Sequence, residues 1–242
     1  MSVVLKLTLA FVASVLIFFL TVIFVLNPLM KWQTENKPPV GASENDHFIR
    51  VQGLKPIDAQ VRATAIFYGG GEECRSFFWS ASDGKKRQGA KAVFKIEHDF
   101  SPVPDRYELR IPYQKYQSSG CDMTLWQINV GAINAFDDVG FADLRIYPPR
   151  MESDKVIGPH SLIEAKNCRA RYYDDLQEWS SGLACSFFVD DKMRDKKSDL
   201  VIFNAYSVYL NFLQFDDETT IYYDILAGEN YRSVPLESKM DE

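Results

Sequence analysis

The chain has 242 residues, of which 46% are hydrophobic, 14% aromatic and 25% charged, with a formal net charge of −6. That balance excludes a disordered chain, which lacks apolar surface to bury, and a basic nucleic-acid-binding domain, which needs a positive footprint. Residues 1–150 carry 17 Lys+Arg and 15 Asp+Glu, whereas residues 151–242 carry 10 and 18; an acidic second half keeps the protein soluble or steers it toward a basic protein, not toward nucleic acid.

After a short start at residues 1–6, residues 7–26 contain no charged side chain and are polar only at Thr8, Ser14 and Thr21. Twenty helical residues span roughly 30 Å, the thickness of a bilayer's hydrocarbon. The run is too long for a secretory signal's apolar core, and no small-x-small cleavage site follows it. Lys31 and Trp32 suit the membrane interface. The expectation is a transmembrane signal-anchor helix over residues 7–26 that inserts in a lipid bilayer. Residues 27–46 are polar, with Pro38, Pro39 and Gly41, and read as a linker.

The remainder reads as β. Residues 58–68 place Val61, Ala63, Ala65 and Phe67 on one face and Arg62 and Thr64 on the other. Residues 91–98, 107–113, 121–130 and Phe141–Tyr147 repeat that period of two, as half-buried antiparallel strands do. Pro148-Pro149 marks an internal break between a first lobe, 47–147, and an acidic second lobe, 150–235, with a polar tail at 236–242. In the second lobe, residues 169–173, 183–189, 200–215 and 219–226 are aromatic and β-branched. The last two flank Asp216-Asp217-Glu218 and suggest a closing hairpin. The fold class expected is all-β: an antiparallel β-sandwich, as one large or two small lobes.

Four cysteines, Cys74, Cys121, Cys168 and Cys185, all follow the apolar run. An even number in an exported domain points to two disulfides, with three possible connectivities. Cys121 and Cys185 each follow an expected Ser-Ser-Gly turn, Ser118-Ser119-Gly120 and Ser180-Ser181-Gly182, which favours Cys74–Cys121 and Cys168–Cys185. No Asn-x-Ser/Thr acceptor occurs. With the cysteines, this points to a single-pass bacterial inner-membrane protein whose C-terminal domain is periplasmic.

No motif assigns catalysis, a cofactor or a metal. Gly69-Gly70-Gly71 is followed by Glu72-Glu73, which would repel phosphate; His47, His98 and His160 are isolated. The pairs Asp137-Asp138, Asp174-Asp175, Asp190-Asp191 and Asp216-Asp217 lack the spacing of a calcium loop and read as turn formers. Lys85-Lys86-Arg87 with Lys91 is the basic cluster, suited to anionic headgroups, an acidic partner or plain solvent. Aromatics gather in the acidic half, and Tyr and Trp dominate interface hot spots. The expected binding residues are Tyr172, Tyr173, Asp174, Asp175, Trp179, Asp216, Asp217 and Glu218. The expected function is protein recognition without catalysis. In its most specific form this is an immunity protein that neutralises a toxic effector delivered into the periplasm; the alternative is an accessory subunit of an envelope assembly, and a periplasmic hydrolase comes third.

Overall fold

Each alternating run becomes a strand because burying every second side chain, at about 1.5–3 kcal/mol for a large aliphatic or aromatic group, outweighs what the exposed face loses. The computed structural model describes residues 3–26, 47–80, 83–118, 120–158, 160–193 and 205–235, with side chains from residue 11 onward. The expected linker, the C-terminal tail, Ser119, and residues 200–204 of the expected strand 200–215 lie outside these.

The chain divides into two units, Met1–Pro39 and Val40–Glu242. In the first, α1 (Val3–Thr21) is followed by a π-helical turn, Val22–Leu26. The single helix expected over 7–26 therefore begins earlier and changes its winding at its end. At that point the Thr21 hydroxyl donates to the Ile17 carbonyl at 2.8 Å, a back-bond that loosens the α-helical ladder. The uncharged part of α1, residues 7–21, covers about 22 Å, less than a hydrocarbon core of about 30 Å. Among the described residues no helix is long and apolar enough to cross a membrane.

The second unit holds β1 (Phe48–Leu54), β2 (Gln60–Gly70), β3 (Phe77–Trp79), β4 (Lys86–Gln88), β5 (Ala90–Ile96), β6 (Arg106–Pro112) and β7 (Tyr116–Ser118). It continues with β8 (Cys121–Ile133), β9 (Phe141–Tyr147), β10 (Leu162–Tyr173), β11 (Glu178–Val189), β12 (Lys192–Met193), β13 (Ala205–Tyr209) and β14 (Thr220–Ala227). One sheet runs β12-β11-β10-β14-β1-β6. The other runs β13-β9-β8-β2-β5, with β7 added to β8, and β3–β4 form a separate hairpin. The inner faces supply the core: Ile49 and Val51, Leu109 and Ile111, Ile163 and Ala165, Tyr223 and Ile225 on the first sheet meet Val61, Ala65, Phe67, Ile128, Val130, Leu144 and Ile146 on the second.

Both sheets draw strands from either side of Pro148-Pro149, so that break does not separate two lobes. Nor is the sandwich purely antiparallel: β14 runs parallel to both β1 and β10, and β13 runs parallel to β9. The closing hairpin is absent because β13 and β14 belong to different sheets. Between them Asn211 caps a 3-10 turn, Phe212–Gln214, and Phe212 stacks on Phe215 at 4.8 Å. Asp216-Asp217-Glu218 is the turn that launches β14.

Two disulfides are present, Cys74–Cys121 and Cys168–Cys185, closing loops of 47 and 17 residues. Gly120 makes the β7–β8 turn at φ 77°, where a Cβ would meet the Glu73 carbonyl oxygen at 2.4 Å. Ser180-Ser181-Gly182 differs from expectation. It lies inside β11, at a bulge opposite Ala170 and Tyr172, and is not a turn.

Candidate interaction surfaces

Beyond Cys168–Cys185, the paired strands β10 and β11 run on to a tip where Tyr172 faces Trp179 and Tyr173 faces Glu178. The bulge holds the tip in place: the Ser180 hydroxyl accepts from the Arg171 amide at 2.9 Å and donates to the Gly182 carbonyl at 2.6 Å. Gly182 has no side chain because the Asp137 carboxylate occupies that space, 2.8 Å from where a Cβ would sit. Asp137, almost fully buried, accepts the amides of Leu183 and Gly140 at 2.8 and 2.9 Å. One carboxylate thus ties β11 to the loop before β9 in the opposite sheet.

At the tip, Tyr172 meets Trp179 edge to face at 5.3 Å, and the Arg232 guanidinium lies 4.4 Å from the centre of the Trp179 ring. Tyr172, Tyr173 and Leu176 are 47%, 42% and 61% exposed. Asp174 and Asp175 form the connecting turn, where the Leu176 amide donates to the Tyr173 carbonyl. Behind it, Asn134 donates to Asp58, to the Tyr231 hydroxyl and to the Arg232 carbonyl. Tyr231 donates to Asp58 at 3.0 Å. Burial, and then the Asp58 carboxylate, push the Tyr231 hydroxyl well above the usual phenol range.

The other half of the expected binding set is elsewhere. Leu162, at the start of β10, pairs with Tyr222 of parallel β14, so Asp216-Asp217-Glu218 lie near that end. The Tyr172 tip is ten residues further along β10, roughly 30 Å away. The structure does not bring the two groups together. Asp216 accepts from the Glu218 amide and the Thr219 hydroxyl, which makes it a turn former. Asp217 receives His47 Nδ1 at 2.7 Å and the Tyr113 hydroxyl at 3.1 Å, and the His47 hydrogen bond, then that of Tyr113, holds its carboxyl below the usual range.

For chemistry, His47 is engaged with a carboxylate and His98 lies 4.4 Å from Phe100. Among the described residues no group of three or more His, Cys, Asp or Glu is placed to hold a metal ion. Asp190 accepts from the Ser161 hydroxyl and the Leu162 amide, and Asp191 pairs with Lys166. Both take positive φ, 50° and 60°, which suits turn formation. An open cavity of about 740 Å³ beside Cys74–Cys121 is lined by Glu72, Glu73, Arg75, Phe77, Lys86 and Gln88. Its two acids and two cations favour no anion.

Two surface features lie outside the expected binding residues. Tyr68 packs on Trp126 at 5.7 Å and on Phe78 at 5.8 Å, with the Arg150 guanidinium 4.0 Å above Trp126. These residues come from β2, β8, β3 and the loop after β9, so only the sheet order assembles them. The β3–β4 hairpin turns Phe77 and Trp79 outward, 55% and 68% exposed. Their nearness in sequence to Lys85-Lys86-Arg87 was the signal available for it. Comparison with family models, with curated proteins and with solved structures returned no significant match.

Proposed function

We propose that this chain is a protein-recognition domain on the extracytoplasmic side of a bacterial inner membrane, held there by residues 7–26. The observation that carries the recognition reading is the β10–β11 tip. Exposed Tyr172, Tyr173 and Leu176 flank a Tyr172–Trp179–Arg232 stack, fixed by a disulfide at its base and by Asp137 across the sandwich. Rigid aromatic side chains lose little entropy on docking, and Trp, Tyr and Arg are the residues enriched in hot spots.

The tether supports this reading from the side of the sequence. Residues 7–26 carry no charge, and Phe11, Phe18 and Phe24 are 71%, 64% and 69% exposed. A contiguous apolar surface of that kind needs lipid or another protein to cover it. Two disulfides fit an oxidising compartment. Confinement at the membrane raises the local concentration of a binder against a target arriving there. In its most specific form the target is a toxic effector delivered into the periplasm; the other form is a subunit of an envelope assembly.

The test is capture from envelope extract by the full chain, set beside the Tyr172→Ser/Trp179→Ser variant. A protein retained by the native chain and lost by the folded variant supports the reading. Equal retention by both removes the tip from recognition.

A further inference from the structure

We propose that the β3–β4 hairpin is a lipid-contacting element that docks on an anionic bilayer surface. In the two-stranded pairing, Phe77 lies opposite Gln88 and Trp79 opposite Lys86, so these four side chains share one face. Phe77 and Trp79 are more than half exposed there, and Lys86 Nζ sits 3.3 Å from the centre of the Phe77 ring. The other face is anchored, because Phe78 packs against Tyr68. The hairpin therefore presents two aromatic rings and an ammonium to solvent on a rigid base.

Charge decides the occupant. Residues 75–91 contain five Lys+Arg and one acid, Asp83, and Asp83 is neutralised by Arg87 at 2.8 Å. Glu72 and Glu73 share the cavity lining with Arg75, Phe77 and Lys86, and with them counted residues 72–91 still hold five Lys+Arg against three acids. An acidic protein would also complement the cations, but hot spots of that kind sit in desolvated pockets, whereas this is a two-stranded ribbon with its rings turned out to solvent. Trp and Phe beside Lys and Arg are what the bilayer interface selects: rings at headgroup depth, cations on the phosphates. The inference stands apart from the recognition reading, since it uses none of residues 172–179.

The test uses the full chain in nanodiscs of phosphatidylcholine alone and of phosphatidylcholine mixed with phosphatidylglycerol, with hydrogen exchange read at the amides of β3 and β4. The expected result is roughly tenfold slower exchange of these amides on the anionic discs, with β2 unchanged. High salt and the Lys85→Glu/Lys86→Glu variant should each abolish the difference, and Phe77→Ser/Trp79→Ser should reduce it. Equal exchange on both discs, or a lipid dependence that survives the charge reversal, would overturn the proposal. Retention on the neutral discs reports residues 7–26 separately; a chain not retained there is offered anionic vesicles in solution, where protection of the hairpin amides supports the proposal and its absence overturns it.

Discussion

Tyr107 and Tyr223 form a buried relay: the Tyr107 hydroxyl donates to the Tyr223 carbonyl at 2.6 Å, and the Tyr223 hydroxyl donates to the Ala142 carbonyl at 2.6 Å. Three strands and both sheets are joined through two side chains with at most 1% exposure. The relay passes Gly53, which pairs with Tyr107 and whose Cβ would lie 2.0 Å from the Tyr223 carbonyl oxygen. A glycine there is what lets the Tyr107 hydroxyl reach across β1 to β14.

Tyr107→Phe and Tyr223→Phe should each destabilise the domain by about 1–3 kcal/mol, because each leaves a buried carbonyl without its donor. The double variant should fall short of the sum, since both bonds share Tyr223. Urea unfolding of the four proteins measures this. Gly53→Ala should cost more than either, because the clash is with backbone.

Burial pushes both hydroxyls well above the usual phenol value of 10.0. A raised folded value means the folded state holds its protons longer than the unfolded one. Stability is therefore complete below about pH 10 and falls as pH rises from there toward the folded values. Alkaline unfolding followed by tyrosinate absorbance should show a cooperative late phase, and the Tyr107→Phe/Tyr223→Phe variant should lose it.

Asp137 ties the β10–β11 tip to the opposite sheet through its two carboxylate oxygens, each accepting a backbone amide. Asp137→Asn replaces one acceptor by a donor facing an N–H, at a cost of about 2–3 kcal/mol. Hydrogen exchange should show the Leu183 and Gly140 amides opening first.

Removing Cys168–Cys185 by paired alanine substitution should cost about 3 kcal/mol, and removing Cys74–Cys121 about 4 kcal/mol, from the loop closure each restores to the unfolded chain. Thermal unfolding under oxidising conditions checks the order. Thiol alkylation of the unreduced protein should label no cysteine among these four.

On the hairpin, hydrogen bonds from Ser80 and then Arg87 hold the Asp83 carboxyl at about 2. Arg87→Gln should move it back toward 3.8, measured by NMR titration. The depressed value means that whatever Asp83 adds to stability is present above the usual carboxylate range and lost as pH falls through about 2.

Much of this architecture could be read from the chain before any coordinates. The alternation at Val61, Ala63, Ala65 and Phe67 names the buried face of β2 correctly, because period two is a local property of an extended backbone. The disulfide pairs are the ones expected, but one of the two Ser-Ser-Gly turns that favoured them is a bulge inside β11, so that reasoning holds for Cys121 and not for Cys185. The grouping of the expected binding residues was legible only in part. Tyr172 and Trp179 meet because a hairpin joins them, while Asp217 belongs with His47 and Tyr113 at the far end of the sheet.

The sequence by itself determined which side chains turn inward and where the charge lies, since each depends on neighbours a few residues apart or on composition. Tertiary structure alone decided that β14 slips between β1 and β10 in parallel, that both halves share one sandwich, and that Asp137 stands where Gly182 has no side chain. Those choices join residues 46 to 170 positions apart. An inward-facing strand fits several neighbours equally well by its own pattern, and only the packing of all of them at once selects one.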